Sequence, residues 1–178
     1  MLISEEYRNL NLELHQRNPH YGVSGQKWAE QISEICSAIG AKTILDYGCG
    51  KQTLGMALSH LLIVGYDPAI PGLDAPPEPA DLTVCTDVLE HIEPDCLDAV
   101  LDDLERLALK GVFLTVATRP AKKFLADGRN AHLIQQPAEW WLPKIMQRWH
   151  LKIFQAKDGE FAAFAIKKEE ELREAKAA

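Results

Sequence analysis

The sequence predicts a three-layer α/β fold in which a mostly parallel sheet is covered by helices on both faces. Two observations carry this prediction. Short β-rich runs alternate with segments of helical periodicity through most of the chain, and two strand-like runs flank the turn Asp158-Gly159 near its end. Alternating strands and helices are typical of a parallel sheet, whereas two strands joined by a tight turn form an antiparallel hairpin.

The chain has the size and composition of a single globular domain. Its 178 residues suit one hydrophobic core, and 47% hydrophobic with 25% charged residues is an ordinary globular composition. No apolar run approaches the roughly 20 residues that span a bilayer. The N-terminus is polar and acidic and lacks the basic-then-apolar order of a secretory signal. We therefore expect a cytoplasmic protein with no membrane span.

The charge argues against a protein that binds long nucleic acid, and the cysteine spacing argues against a zinc-finger protein. The net charge is −7, and the basic residues form no cluster beyond Lys122 and Lys123 with two neighbouring arginines. Proteins that bind a nucleic-acid backbone usually present a basic face, so we expect no long nucleic acid as partner. The four cysteines form no CxxC pair and lack zinc-finger spacing. We expect them to be reduced, mostly buried thiols.

Residues 1–40 are predicted to form a helical segment ahead of the core. A short helix is expected within 1–18, followed by a loop over 18–25 that contains proline and glycine. A second helix is predicted to end at Gly40, because apolar residues recur at three- and four-residue steps: Trp28, Ile32, Ile35 and Ile39. The glycines of the loop suit a lid over a ligand; an ordinary surface loop is the alternative.

Residues 41–167 are predicted to form the core domain, and 168–178 a charged, helix-prone tail. The predicted strands are 43–47, 62–67, 82–86, 112–116, 151–155 and 160–166. The predicted helices are 52–61, 95–109 and 137–148. The segment 68–79 is rich in proline and glycine and too short for a crossover helix with its strand. We therefore expect a six-stranded sheet.

A glycine loop follows the first predicted strand, where the run 44–50 ends in Asp-x-Gly-x-Gly. Parallel sheets bind ligands beyond the carboxyl ends of their strands, and glycines let the backbone approach a ligand closely. A dinucleotide fingerprint requires a third glycine where Thr53 stands, and a phosphate-binding loop requires Gly-Lys-Ser/Thr where the sequence continues with Met56. The loop instead suits a ligand with an amino-acid moiety, whose cationic group Asp46 can hold.

Asp67 ends the second predicted strand. A carboxylate at this point can accept hydrogen bonds from both ribose hydroxyls of a nucleoside. The alternative is a structural carboxylate that caps the following turn.

Together with the run Cys-Thr-Asp-Val-Leu-Glu-His-Ile at 85–92, these motifs resemble the class I S-adenosylmethionine-dependent methyltransferases of the small-molecule type. The resemblance covers roughly 40–118, and the hairpin extends it to about 166. It implies a Rossmann-like fold and S-adenosylmethionine as cofactor. It also implies these cofactor-binding residues: Asp46, Gly48, Cys49, Gly50, Asp67, Pro68 and Asp87.

The short segment 68–80 is a departure from that family, which usually places a helix and a further strand there. The end of that strand contacts the adenine. We therefore expect the sheet to lack one edge strand, and the adenine contact to come from 73–74 or 86–87.

The acceptor side carries a second motif, Asp87-x-x-Glu90-His91, with His132 downstream. It is similar to a motif of small-RNA 2′-O-methyltransferases and ubiquinone-pathway O-methyltransferases that binds a divalent metal. Asp87 is one methylene shorter than the glutamate of that pattern. Hydrogen-bonded, metal-free histidines are therefore favoured, and a metal site formed by Asp87, Glu90, His91 and His132 is kept as the alternative.

Methyl transfer is an in-line displacement that needs alignment and a dry site. A hydroxyl acceptor must also lose a proton, which His91 or His132 can accept. One of the adjacent Trp140 and Trp141 is expected to line the acceptor pocket. The sequence thus predicts O-methylation of a small-molecule or sugar-like acceptor, with N-methylation open. The alternatives are a metal-dependent nucleotide or RNA-type O-methyltransferase and a non-catalytic S-adenosylmethionine-binding module.

Overall fold

The computed structural model describes residues 1–168, so the predicted tail lies outside the described residues except for its first position. The elements follow one another as α1 (Glu5–Arg17), α2 (Ala29–Ile39), β1 (Thr43–Tyr47), α3 (Thr53–Ala57), β2 (Leu62–Tyr66), β3 (Ala80–Thr86), α4 (Leu97–Leu107), β4 (Ala108–Ala117), α5 (Ala138–Arg148), β5 (Trp149–Lys157) and β6 (Glu160–Lys167). Strands and helices alternate, as the sequence predicts.

The described strands form one six-stranded sheet in the order β2-β1-β3-β4-β6-β5. The first four strands are parallel. The C-terminal hairpin is antiparallel, and its second strand β6 pairs with β4, so that β5 lies at the edge. The predicted architecture is confirmed, including the missing edge strand: β2 ends the sheet. Leu62 and Val64 on β2 are more than half exposed, at 63% and 56%.

Helices cover both faces of the sheet. On one face α4 packs through Leu97, Val100, Leu101 and Leu104, at the three- and four-residue spacing of an apolar helix stripe. On the other face Ile32 and Ile35 of α2 pack with Leu54 of α3. The helix α1 belongs to neither layer, because it crosses the carboxyl ends of the strands. There its Tyr7 is only 2% exposed.

Several predicted boundaries differ from the structure by one to four residues; β4, for example, begins at Ala108 rather than at 112. Two helix ends show the physical cause. The helix predicted over 52–61 ends at Ala57, since the interior Gly55 weakens it and the chain turns where the Leu61 amide donates to the Leu58 carbonyl. The helix predicted over 95–109 ends at Leu107 because Ala108 already belongs to β4.

The remaining fold predictions concern cysteines and membranes. All four cysteines are buried free thiols, as expected. Within residues 1–168 every helix is too short or too polar to cross a membrane.

Candidate cofactor and acceptor site

A cavity lies between the carboxyl ends of β1, β2 and β3 on one side and α1 with the following loop on the other. It contains about 830 Å³ of empty space, counting its open mouth. Six of the seven predicted cofactor residues border it: Asp46, Gly48, Cys49, Asp67, Pro68 and Asp87.

The glycine loop after β1 is held close to its neighbours. Gly48 has φ +76°, and a β-carbon there would lie 2.4 Å from Val88 Cγ2. The amides of Gly48 and Cys49 both donate to the Tyr66 carbonyl, at 2.7 and 3.0 Å. Gly50 lies beneath Gly22 rather than in the cavity wall, and a β-carbon at Gly50 would lie 2.7 Å from the Gly22 carbonyl oxygen. Glycine is therefore required at both positions.

Asp67 joins the end of β2 to the glycine loop. Its side chain is buried, with one carboxylate oxygen accepting from the Gly50 amide at 3.1 Å and the other from the Ala69 amide at 3.0 Å. Burial raises the pKa of Asp67, and these two hydrogen bonds oppose the rise. Asp67 therefore has the structural role that was the alternative in the sequence analysis, and each oxygen keeps a further lone pair.

Asp46 is the second buried acid of this wall, at 3% exposure. Burial, and then the neighbouring Asp67, raise its pKa to about 7. A cationic group in the cavity would stabilise the charged form of Asp46 and lower its pKa again.

The loop after α1 lies directly on the glycine loop. Lys51 follows Gly50, and its ammonium donates to the carbonyls of His15, Asn18 and Tyr21 at 3.3, 3.0 and 3.0 Å. The Lys51 amide donates to the Gly22 carbonyl at 2.9 Å. This lysine fastens the N-terminal segment over the cavity.

The motif after β3 brings three metal-ligand side chains together with His132. One ligand-type atom from each of Asp87, Glu90, His91 and His132 lies within 4.8 Å of the others. Glu90 is fully buried. Its Oε1 accepts from the Ala117 amide at 2.7 Å, whereas Oε2 has no hydrogen-bond partner in the described structure. Burial and then the Asp87 charge hold the pKa of Glu90 well above its usual range.

The two histidines of this cluster are oriented by backbone carbonyls. His91 Nδ1 lies 2.7 Å from the Ala131 carbonyl oxygen, and His132 Nδ1 lies 2.6 Å from that of Arg119. A carbonyl only accepts, so each Nδ1 carries the proton and each Nε2 has a free lone pair. Burial is the main cause that lowers the pKa of His91 to about 4. His91 is therefore neutral at physiological pH.

Some of the residues that were expected to contact the adenine or the acceptor do not border the cavity. Leu73 and Asp74 border no part of the cavity, and Asp74 is paired with Arg8 of α1. Thr86 and Asp87, the other expected adenine neighbours, do border it. Neither tryptophan lines this cavity: Trp141 is fully buried in the core, and Trp140 packs against it.

The sequence did not indicate the polar residues that α1 brings to the cavity: Tyr7, Asn11 and His15. The loop after α1 suited a lid, and its Tyr21 and Ser24 also border the cavity. The hydroxyl of Tyr21 lies 3.2 Å from His91 Nδ1, and Ser24 donates to Asp87 at 2.7 Å. The four-residue spacing of the first three was the available signal, because it places them on one helix face.

No protein-family model matches the sequence, and no curated protein matches it. Solved structures do match. A Burkholderia thailandensis 1,6-didemethyltoxoflavin-N1-methyltransferase, with its substrate and S-adenosylhomocysteine bound, is 16% identical, with a TM-score of 0.63 over 94% of this chain and 91% of that one. This chain has a class I methyltransferase fold.

Two further neighbours have the same architecture. The N-methyltransferase NodS from Bradyrhizobium japonicum, with S-adenosylhomocysteine, is 14% identical over 90% of this chain and 98% of that one, with a TM-score of 0.60. The magnesium protoporphyrin IX methyltransferase from Synechocystis, with S-adenosylhomocysteine, is 17% identical over 82% and 84%, with a TM-score of 0.59. At these identities the likeness establishes the fold.

Proposed function

We propose that the protein is an S-adenosylmethionine-dependent methyltransferase. The observation that carries the proposal is the cavity at the carboxyl ends of β1 and β2. It brings the glycine loop and two buried acids, Asp46 and Asp67, to one wall. The solved neighbours with the same fold contain S-adenosylhomocysteine or S-adenosylmethionine.

The residues of that wall suit the parts of this cofactor. Asp46 meets the ammonium group of the methionine part, because a cation offsets the cost of burying the Asp46 charge, which is what raises its pKa. Gly48 and Cys49 offer a surface without bulky side chains. Asp67 uses its remaining lone pairs for the ribose hydroxyls. The sulfonium of the bound cofactor supplies an activated methyl group, so the protein mainly aligns the acceptor and excludes water.

The acceptor side suits a hydroxyl group. His91 and His132 each have a free Nε2, and their rings stand perpendicular with centroids 4.7 Å apart. His132 is the favoured acceptor of the proton that a hydroxyl loses during methyl transfer, because the lowered pKa of His91 makes its imidazole a weak base. We therefore favour O-methylation of a small-molecule or sugar-like acceptor.

Transfer of a labelled methyl group tests this function. The protein is incubated with methyl-labelled S-adenosylmethionine and a small-molecule cell extract, and products are resolved by mass. We expect a labelled product with stoichiometric S-adenosylhomocysteine. Cofactor binding without a product from any extract would favour the non-catalytic module, and the absence of cofactor binding would refute both.

A second candidate is a metal-dependent O-methyltransferase of the nucleotide or RNA type, favoured by the cluster around Glu90. The cluster fits a divalent cation in three respects. The buried Glu90 Oε2 accepts no hydrogen bond from the described residues. A second carboxylate, that of Asp87, lies beside it. Each histidine donates its Nδ1 proton to a carbonyl, which is how metal-bound histidines are commonly oriented.

Asp87, Glu90, His91 and His132 would hold the ion, and mixed carboxylate and imidazole ligands suit Mg, Mn, Zn or Fe. When bound, the ion would supply Lewis-acid polarisation of the acceptor oxygen.

Direct metal binding separates the two candidates. Elemental analysis after mild purification and titration with Mn²⁺ followed by electron paramagnetic resonance measure the ion without any acceptor. Glu90→Gln should abolish binding, whereas Glu139→Gln, an exposed glutamate of α5, should leave it unchanged. A wild-type protein that binds no metal would leave the histidines as hydrogen-bonded groups or bases.

A further inference from the structure

The face of α1 that borders the cavity has a regular set of polar side chains. Tyr7, Asn11 and His15 follow one another at four-residue steps and all line the cavity. Residues at this spacing lie on one side of a helix. Exposed residues such as Asn9 lie elsewhere on the same helix.

Each of these side chains has a buried polar atom without a hydrogen-bond partner. The atoms are Tyr7 Oη, Asn11 Oδ1 and His15 Nδ1, half of all such side-chain atoms in the described structure. Buried polar atoms in native proteins are nearly always satisfied by protein, water or ligand. Three unsatisfied atoms on one helix face, all beside a cavity, indicate a polar ligand that completes them.

The three groups are uncharged at physiological pH. Burial, and then the charges of Lys51 and Lys123, lower the pKa of His15 to about 4. Burial is also the main cause that raises the pKa of Tyr7. Neutral donors and acceptors suit an uncharged polar moiety, in contrast to the two acids on the opposite wall.

Contacts at three places fix where α1 lies over the strand ends. Arg8 pairs with Asp74 in the loop after β2. Ser4 donates from its amide and hydroxyl to Glu93, beyond β3, at 2.8 and 2.7 Å. The C-terminal end of α1 is held at the glycine loop by Lys51. Of the loop after β2, only Asp67 and Pro68 border the cavity. The helix therefore spans the carboxyl end of the sheet from the loop after β2 to the segment after β3.

We propose that α1 forms the nucleoside wall of the cofactor site, with Tyr7 and Asn11 hydrogen-bonded to the adenosine moiety. This inference rests on the proposed cofactor. His15 lies nearest the glycine loop, since its ring borders Gly22, and therefore faces the amino-acid end. The neutral part of the cofactor meets neutral groups, and its ammonium meets Asp46.

Calorimetry with two ligands tests the assignment. S-adenosylhomocysteine contains both the nucleoside and the amino-acid end, whereas 5′-methylthioadenosine contains only the nucleoside. The variants are Asn11→Leu and Tyr7→Phe. The control for Asn11→Leu makes the same chemical change away from the cavity, as Asn9→Leu on the exposed side of α1. Circular dichroism and a melting curve verify that each variant is folded.

We expect Asn11→Leu and Tyr7→Phe to weaken both ligands by a similar factor, about 5- to 30-fold for loss of one buried hydrogen bond. Asn9→Leu should bind both ligands like the wild type. Unchanged affinities in both α1 variants would overturn the assignment. Weakening of S-adenosylhomocysteine alone would also overturn it, because α1 would then contact the amino-acid end. A wild type that binds neither ligand would refute the proposed function itself.

Discussion

Replacing Gly48 by alanine perturbs the glycine loop at its tightest point. The residue has φ +76°, and an added β-carbon would lie 2.4 Å from Val88 Cγ2 and 2.9 Å from Val88 Cγ1. The substitution therefore adds two costs, backbone strain and overlap with a neighbouring side chain. Gly72→Ala is a matched control, because Gly72 has φ +88° with open space around its β-carbon position.

The costs of backbone strain and of side-chain overlap add to one another. A non-glycine residue in the left-handed region costs about 1–2 kcal/mol, which Gly72→Ala should show alone. Overpacking adds about 1–3 kcal/mol, so Gly48→Ala should lower the free energy of unfolding by about 2–5 kcal/mol. For a domain of this size each kcal/mol corresponds to a shift of about 2–4 °C in Tm.

Urea unfolding and calorimetric titration with S-adenosylhomocysteine measure both consequences. We expect Gly48→Ala to be less stable than Gly72→Ala and to bind the ligand at least about tenfold more weakly, since the loop must move to relieve the overlap. Gly72→Ala should retain wild-type affinity. Equal stabilities and affinities for the two variants would refute the close approach of Val88 to the glycine loop.

Three further predictions concern the acids and the acceptor side. The folded-state pKa of Asp46 is raised from 3.8 to about 7. The ligand-free protein should therefore lose stability as the pH rises from 4 to 7, by on the order of 3–4 kcal/mol. Urea unfolding across this pH range measures the loss, and Asp46→Asn should make the free energy of unfolding less dependent on pH there. Asp67→Ala leaves the amides of Gly50 and Ala69 without their acceptors, so unfolding assays should show a loss of about 1–3 kcal/mol and calorimetry weaker S-adenosylhomocysteine binding. His132→Ala should lower turnover by roughly 10²–10⁴ with cofactor affinity nearly intact; full turnover in steady-state assays would place His132 outside the chemistry.

Local patterns made much of the fold predictable from the sequence. The apolar stripe of α4 and the buried runs of β1 and β3 are set by nearest-neighbour periodicity, which tertiary contacts reinforce. The short segment after β2 excluded a crossover helix by length alone, and the sheet indeed ends at β2. Boundaries such as the early end of α3 depend on contacts that periodicity does not report.

Only the part of the candidate site that belongs to the core domain was predictable from the sequence. Asp46, Asp67 and the glycines follow strands, so topology alone brings them to one edge of the sheet. The contacts of α1 with this edge join residues far apart in the chain, as in the pairing of Arg8 with Asp74, and no local pattern encodes them. The turn-capping role of Asp67 was an alternative in the sequence, whereas its contact with the Gly50 amide depends on three-dimensional geometry.

Titration of the purified protein with S-adenosylhomocysteine tests the central claim most directly. We expect one ligand bound per chain, with affinity reduced at least about tenfold in Asp46→Asn, because the ligand's ammonium loses its charged partner. Asp158→Asn, in the exposed turn between β5 and β6, is the matched control and should bind normally. A wild-type protein that shows no heat of binding at millimolar ligand, or an Asp46→Asn variant with unchanged affinity, would contradict the cofactor site described by these residues.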